Sequence, residues 1–380
     1  MFPIRQSSPD SRSRLHPWTA VAAIIVLSAA PLFAQSFSSR HGLSSSEVEQ
    51  IRAAVLQLIE ELRKSGSPRQ KAKVAYALGR IGPLASAAVP TLTSAMSEED
   101  PELKKVACWA LGEIGPVVGE SAESVRRIAG LLSDPREGAE IRRTAAWVLG
   151  RIGVPGQTMH VLTKALQDPD TEVRAIAVIS MGKSPAASDV IGVLGPLLND
   201  PSERVASAVG SVLAAVGEPA VPVLVEALNA PTQQARQTAA KALVQIGAPA
   251  LSKVAALLVA DGTEQETRAA AAAILARIGK PAVPVLAACL SDPNQKVRLL
   301  SCRALGEIGA PVAADLKSLE LLQGALLDPI WEVREAAALA LGQVGAVSAR
   351  PLLLQALDDE ENAVRSAAAK ALEQIGVEHL

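Results

Sequence analysis

Aromatic residues are scarce in this sequence: its 380 residues include only four Trp, one Tyr and three Phe. The apolar residues, 49% of the chain, are mostly Ala, Leu and Val; small side chains allow close packing, and Ala has the highest helix propensity. The net charge is −2, so no overall electrostatic field attracts nucleic acid or an anionic membrane surface. The composition therefore favours closely packed helices and disfavours nucleic-acid binding.

Patterns typical of catalytic and metal sites are also missing. The four His residues do not form a His-Glu-x-x-His or Glu-x-x-His pairing, so a zinc site has no support. The sequence contains neither a Gly-x-Ser-x-Gly nucleophile motif with a nearby base nor a glycine-rich phosphate loop. We therefore expect a protein that is not an enzyme and that needs no cofactor and no metal.

Cysteine is rare, and its spacing matches neither a metal site nor a disulfide framework. Cys108, Cys289 and Cys302 all fall within predicted helices. We interpret them as small core residues. A disulfide between Cys289 and Cys302, which belong to consecutive helices, is the alternative.

The apolar run near the N-terminus is shorter than the roughly 20 residues that a membrane-spanning helix needs. Three Arg residues precede this run over 20–33, and Ala34 follows it as a small residue suited to cleavage. This order predicts a signal peptide over 1–34 and a flexible mature N-terminus over 35–43. We expect an exported protein, periplasmic or extracellular, with an uncleaved N-terminal anchor as the alternative.

One helical motif recurs about ten times between Lys71 and Gly376. Successive closing positions are 33, 38, 32, 32, 30, 32, 30, 36 and 31 residues apart, the period of stacked helical repeats. These positions are Gly82, Gly115, Gly153, Pro185, Gly217, Gly247, Gly279, Gly309, Gly345 and Gly376. Because each repeat contacts only its neighbours, the pattern predicts one all-α solenoid over residues 65–380.

Each repeat is predicted to contain helix A, a tight turn and helix B. Helix A is expected to begin at an Asp-Pro step, where the Asp side chain caps free amides and Pro has no amide to satisfy. It should end at the closing Gly, which adopts a left-handed cap without steric cost. A further helix is predicted over 44–64, because Ser44 and Glu47 form a capping-box pattern. We expect that helix to cover the first repeat.

A basic residue stands two helical turns before the buried Leu of Ala-Leu-Gly in nine of the ten copies. This spacing places the base on the same side as the Leu, and an Asp six residues earlier can meet it at the turn. Since a buried base needs a partner, we interpret these charges as a structural ladder that links repeats, with an anion-binding row as the alternative. The ladder residues are Asp168, Arg174, Asp292, Arg298, Asp328, Arg334, Asp359 and Arg365.

The repeated motifs resemble those of the HEAT-repeat family. The motifs are Asp-Pro, Val-Arg as at Val297-Arg298, Ala-Leu-Gly-x-Ile-Gly as at 304–309, and Pro-Ala-Val-Pro-x-Leu as at 281–286. They are most similar to the short-repeat branch, which includes bilin lyases and artificial binding scaffolds, and they cover about 300 of 380 residues. The resemblance implies a right-handed superhelix with the A helices on its convex face, and a scaffold or adaptor function.

Aromatic residues recur at one outward-facing position of the first three repeats. Tyr76, Trp109 and Trp147 each stand two residues before the reference Leu, about 200° around the helix from it. Arg80 and Arg151 follow one turn later on the same face. Tyr and Trp are enriched at binding hot spots, so this aromatic row is our candidate partner-binding surface. The alternative is that the three rings serve local packing. In that case, replacing them with polar residues would lower the melting temperature.

Together these features predict an exported, non-enzymatic scaffold that binds a protein or a peptide. We expect no nucleic-acid partner and no membrane insertion beyond the N-terminal signal. An accessory subunit of an enzyme, which the similarity to bilin lyases implies, is the alternative. Nucleic-acid binding is a weaker third hypothesis.

Overall fold

A computed structural model of the protein describes residues 44–153, 156–184 and 187–376. The predicted signal peptide over 1–34 and the predicted flexible N-terminus over 35–43 lie outside the described residues. Within the described parts of the chain, all regular secondary structure is helical. The all-α class predicted from the repeat period is therefore confirmed.

The chain divides into two compact units, Met1–Ser184 and Pro185–Leu380. Their boundary falls at the one repeat whose closing position is Pro185 instead of Gly. The α-helices of the first unit are α1 (Ser45–Lys64), α2 (Pro68–Ile81), α3 (Val89–Ala95), α4 (Pro101–Ile114), α5 (Ala122–Ser133), α6 (Ala139–Arg151), α7 (Gly156–Ala165) and α8 (Thr171–Gly182).

The second unit repeats the same pattern with shorter B helices. Several of these B helices are extended at one or both ends by 3₁₀ turns. Its α-helices are α9 (Ile191–Leu194), α10 (Glu203–Val216), α11 (Val221–Glu226), α12 (Gln233–Ile246), α13 (Leu251–Val259), α14 (Gln265–Ile278), α15 (Val283–Ala288), α16 (Gln295–Ile308), α17 (Ala310–Ala313), α18 (Leu316–Gly324), α19 (Trp331–Val344), α20 (Arg350–Gln355) and α21 (Asn362–Gln374).

Within each unit, each A helix packs against the A helix of the next repeat, which is the arrangement of a solenoid. In the first unit the successive A helices are α2, α4, α6 and α8, and in the second they are α10, α12, α14, α16, α19 and α21. The reference leucines Leu78, Leu111, Leu305 and Leu341 have no exposed surface. Apolar burial between neighbouring repeats is the main source of stability in such an array. The predicted α-solenoid is thus confirmed within each unit.

Helix α1 covers the apolar edge of the first repeat. Its N-terminus forms a capping box, in which the Ser44 amide donates to Glu47 Oε2 at 2.8 Å and the Glu47 amide donates to Ser44 Oγ at 3.3 Å. The helix then packs on α2, on α3 and on the 3₁₀ turn between them. It buries one apolar face, formed by Val55, Leu58, Ile59 and Leu62.

The Asp-Pro step does not always start helix A, and this differs from the sequence prediction. Helix α16 begins at Gln295, three residues after Asp292, whose Oδ1 accepts the Asn294 amide at 2.8 Å. The carboxylate therefore closes a turn in front of the helix instead of capping it. Only α4, among the described Asp-Pro copies, follows the prediction, because Asp100 accepts the Leu103 amide at 2.7 Å.

The three cysteines are free and buried, without a disulfide between Cys289 and Cys302. Burial raises the pKa of the Cys108 thiol to about 12, so this thiol stays protonated and unreactive at neutral pH.

No single helix in the described ranges is long and apolar enough to cross a membrane. One pair of consecutive helices, Gln233–Ile246 and Ala248–Val259, is together long and apolar enough for a span, but the two helices are bent by 116° relative to each other.

Candidate protein-binding surface

The ladder charges pair between neighbouring repeats. Arg298 Nε and Nη2 donate to the two carboxylate oxygens of Asp328 in the next repeat, at 2.7 and 2.9 Å. Arg334 binds Asp359 in the same bidentate way, at 2.8 and 2.9 Å. Arg142 binds Asp168 at 2.7 and 2.9 Å. These three pairs therefore tie an A helix to the turn that precedes the next one.

The Asp six residues before the Arg is predicted to meet it at the turn; the structure has this contact, but not through the Asp carboxylate. The Arg reaches the backbone carbonyl of that Asp instead. Arg174, Arg298, Arg334 and Arg365 each donate from Nη1 to the carbonyl oxygen of the Asp six residues earlier. The corresponding Asp residues are Asp168, Asp292, Asp328 and Asp359.

Local hydrogen bonding explains why the carboxylate turns away from its own repeat. Asp328 Oδ1 accepts the Ile330 amide at 2.9 Å, and this contact orients the carboxylate towards the preceding repeat. Burial raises the pKa of Asp328, but the hydrogen bonds from Arg298 and from the Ile330 amide outweigh it, so that the pKa lies below its ordinary value. The carboxylate therefore stays ionised and paired.

Lys and Glu replace Arg and Asp at the first two links of the ladder. Lys71 binds Glu98 at 2.7 Å, and Lys104 binds Glu137 at 2.6 Å. Both pairs again join one repeat to the next. With the three Arg–Asp pairs, five bases of the row are held in intramolecular ion pairs, and others donate to backbone carbonyls, which leaves the row few free donors for an external anion.

The aromatic row begins with a stacked pair on neighbouring A helices. The rings of Tyr76 on α2 and Trp109 on α4 have centroids 5.1 Å apart and planes 17° from parallel. Tyr76 is 49% exposed, whereas Trp109 is only partly exposed. Such a stacked pair stabilises the fold by more than the burial of its apolar area alone. One side of the Tyr76 ring is thus held by Trp109 while much of the residue stays open to solvent.

Trp147 on α6 is covered by its own neighbouring charge. The Arg151 guanidinium carbon lies 5.2 Å from the centre of the Trp147 ring, in cation–π contact. Arg151 Nε also donates to the Gly112 carbonyl at 3.0 Å, and its Nη2 lies 3.6 Å from a Glu113 carboxylate oxygen. Trp147 and Arg151 are therefore bound into the solenoid as well as facing outwards.

Two glycines that sequence reasoning did not assign to the row explain the position of the Trp rings. A Cβ added to Gly79 would lie 2.6 Å from Cζ3 of Trp109, and one added to Gly112 would lie 2.5 Å from Cζ3 of Trp147. Each indole therefore lies against the glycine of the preceding A helix, where a Cβ would clash with it. The recurring Gly of Ala-Leu-Gly is the sequence signal that could have shown this contact.

Arg80 differs from Arg151 in its surroundings. It is exposed, and it forms no ion pair with another described residue. The outward-facing position predicted for the row thus holds for Tyr76 and Arg80, while Trp109, Trp147 and Arg151 combine exposure with packing. The described residues contain no group of three or more His, Cys, Asp or Glu side chains placed to hold a metal ion.

The repeats match a known family over nearly the whole described chain. The family model of HEAT repeats matches residues 55–137, 126–191, 191–264, 251–319 and 318–379. The chain belongs to the HEAT-repeat family. The family resemblance of its Asp-Pro, Val-Arg and Ala-Leu-Gly motifs is therefore confirmed.

Solved structures of similar fold include larger HEAT-type solenoids. The karyopherin Kap121p bound to the extreme C-terminus of the protein phosphatase Cdc14p matches 95% of this chain, with 12% identity and a TM-score of 0.55. Kap121p bound to Nup53p matches 94%, with 13% identity and a TM-score of 0.54. This HEAT-repeat chain spans 44% of the length of Kap121p in both comparisons. At such identities the similarity concerns the fold alone.

Human deoxyhypusine hydroxylase in complex with glycerol matches 87% of this HEAT-repeat chain and 98% of its own, with 20% identity and a TM-score of 0.30. That score is too low to relate the two proteins in function. A comparison with curated proteins found no match.

Proposed function

We propose that this HEAT-repeat protein is an exported, non-enzymatic scaffold that binds a protein or peptide through the aromatic row of its first three repeats. The observation that carries the proposal is the exposure of Tyr76, which is 49% accessible although its ring is already ordered by Trp109. A side chain held in place before binding loses little conformational entropy when a partner covers it. Exposed aromatic side chains of this kind are common centres of protein interfaces.

The surroundings of Tyr76 support recognition of a polypeptide. Trp109 extends the apolar surface on one side, and Arg80 adds a free guanidinium one helical turn away. An apolar centre with charges at its edge is the usual arrangement of a protein interface. The absence of a metal cluster or a nucleophile motif from the described residues gives no support for catalysis.

Affinity capture with the full chain tests this function. Wild-type protein and a Tyr76→Ser variant would be used as baits in an envelope extract, with Lys241→Ser as a matched control. Lys241 occupies the same exposed position in the sixth repeat. We expect one partner to be retained by the wild type and the control and lost by Tyr76→Ser. A partner that binds all three baits equally would move the site away from the aromatic row.

Export is tested separately, because it depends on the N-terminal segment. We expect the protein to be found outside the cytoplasm of its source cells and to begin there at Gln35. The apolar run over 20–33 followed by Ala34 predicts this cleavage. N-terminal sequencing measures this directly. Recovery of the uncleaved chain from a membrane fraction would support the anchored alternative instead.

A further inference from the structure

Helix α2 carries an unbalanced positive charge. It contains Arg69, Lys71, Lys73 and Arg80 but no Asp or Glu. Lys71 is neutralised by Glu98 in the ladder. The other three side chains are exposed, and none of them forms an ion pair within the described part of the chain.

These three cations share one face of α2 with Tyr76. The order Arg69, Lys73, Tyr76 and Arg80 has steps of four, three and four residues, so the side chains lie in one stripe along the helix. At 1.5 Å per residue the stripe is about 16 Å long. We call these four residues the α2 stripe. It presents an exposed aromatic ring with two cations on one side and one cation on the other.

The outward cations of the next two A helices are already paired. Lys105 on α4 binds Glu102 at 2.7 Å and Glu140 at 3.2 Å. Arg143 on α6 binds Asp170 at 2.6 Å. Among α2, α4 and α6, the uncompensated charge of this face therefore lies on α2, where like charges four residues apart repel each other. An anionic partner on α2 would relieve that repulsion.

The shape of the charged region indicates which anion fits it. The cations are spread along one helix instead of converging on one point, so they match a row of separate carboxylates better than a single phosphate. A nucleic acid would need a positive track across several repeats, and the ion pairs on α4 and α6 end the track after one helix. Tyr76 supplies an apolar contact in the middle of the stripe.

We infer that the α2 stripe binds an acidic segment of a partner protein, in which carboxylates flank an apolar side chain that packs on Tyr76. This inference rests on the proposed function, since it assigns a chemistry to the partner of the aromatic row. Charge complementarity of this kind sets which partner is chosen and how fast it associates.

The test uses the full chain and a fluorescently labelled peptide with glutamates on both sides of a central leucine. A peptide with Gln in place of Glu and a single-stranded oligonucleotide of similar length are the comparison probes. The test variant is the triple substitution Arg69→Gln, Lys73→Gln and Arg80→Gln. The matched control is Lys241→Gln, Arg303→Gln and Lys370→Gln, which neutralises three exposed A-helix cations and changes the net charge equally, from −2 to −5.

We expect fluorescence anisotropy to show binding of the acidic peptide to the wild type and to the control, and binding about tenfold weaker to the α2 variant. Added salt should weaken the wild-type complex, because the contacts are exposed. Equal binding to the wild type and the α2 variant, or no binding to the wild type, would overturn the inference. A preference for the oligonucleotide that depends on the α2 stripe would also overturn it, in favour of nucleic acid.

The captured partner separates this inference from the proposed function. If the α2 variant still retains a partner that Tyr76→Ser loses, the aromatic row binds a protein but the acidic chemistry is wrong. If both variants lose the partner and the control keeps it, the inference is supported. If no bait shows dependence on Tyr76, the proposed function itself fails.

Discussion

Removing one Arg of the ladder should destabilise the second unit far more than removing an exposed Arg elsewhere. In Arg298→Met, the carboxylate of Asp328 loses both of its guanidinium hydrogen bonds, of 2.7 and 2.9 Å, and keeps the Ile330 amide at 2.9 Å. The Asp328 side chain is only 8% exposed, so water replaces the lost partner poorly. Breaking a buried ion pair on one side costs about 3–5 kcal/mol. Because a little water reaches this site, we expect about 3 kcal/mol.

The structure offers two controls for this experiment. Arg127→Met removes the surface pair with Glu123, which is 3.8 Å long and joins side chains that are 43% and 68% exposed. That loss should cost no more than about 0.5 kcal/mol. Adding Asp328→Asn to Arg298→Met removes the uncompensated charge, so the double variant should recover about 1–2 kcal/mol of the loss.

Urea unfolding followed by circular dichroism gives the free energy of unfolding of each variant. Solenoids do not always unfold in one step, so hydrogen exchange across α16 and α19 should be measured as well. We expect faster exchange in both helices of Arg298→Met. A loss below about 1 kcal/mol, or a double variant no more stable than the single one, would refute the view that the ladder stabilises the contact between repeats.

Three further outcomes follow from the first unit. The hydrogen bond from Arg143 holds the pKa of Asp170 at about 2, below its usual 3.8. The stability that the ionised Asp170 contributes is therefore present above about pH 4 and is lost as the pH falls towards 2. The melting temperature of Asp170→Asn should depend less on pH across that window than that of the wild type. Gly112→Ala should lower the stability by about 1–3 kcal/mol, because its Cβ would lie 2.5 Å from the Trp147 ring; unchanged urea unfolding would contradict that packing. Tyr76→Ser should change the free energy of unfolding by less than about 1 kcal/mol, whereas Trp109→Ser should cost about 2 kcal/mol in the same assay, and equal losses would contradict the difference in burial.

The fold could be predicted because its signals are local and repeated. A buried Leu and a closing Gly recur at nearly constant spacing, and each copy supports the same two-helix interpretation. The start of helix A was less predictable, since Asp328 uses its carboxylate for a turn and for Arg298 of the neighbouring repeat, and not for a cap. Spacing within one repeat does not reveal which group of the next repeat competes for a side chain.

The sequence was enough to predict which face of the helices carries the candidate site, but not how its side chains pack. Helical periodicity placed Tyr76, Trp109 and Trp147 on the outer face, yet it could not show that an indole lies over the glycine of the preceding helix. That contact depends on the distance between two A helices, which is a property of packing. The α2 stripe was missed for a different reason: Arg69 and Lys73 stand out only when the paired cations of α4 and α6 are known.

Repetition also indicates where binding specificity can reside. Every repeat buries an apolar residue at the reference position, which is Leu or, in the fourth repeat, Met181. Five bases also pair with the next repeat, so these positions cannot vary freely to suit a partner. The position two residues before the Leu is under no such constraint, because it holds Tyr76 in the first repeat and the exposed Lys241 in the sixth. A partner that distinguishes one end of the solenoid from the other must therefore contact such variable positions. The α2 stripe is the place where an exposed ring and three unpaired cations coincide on one helix.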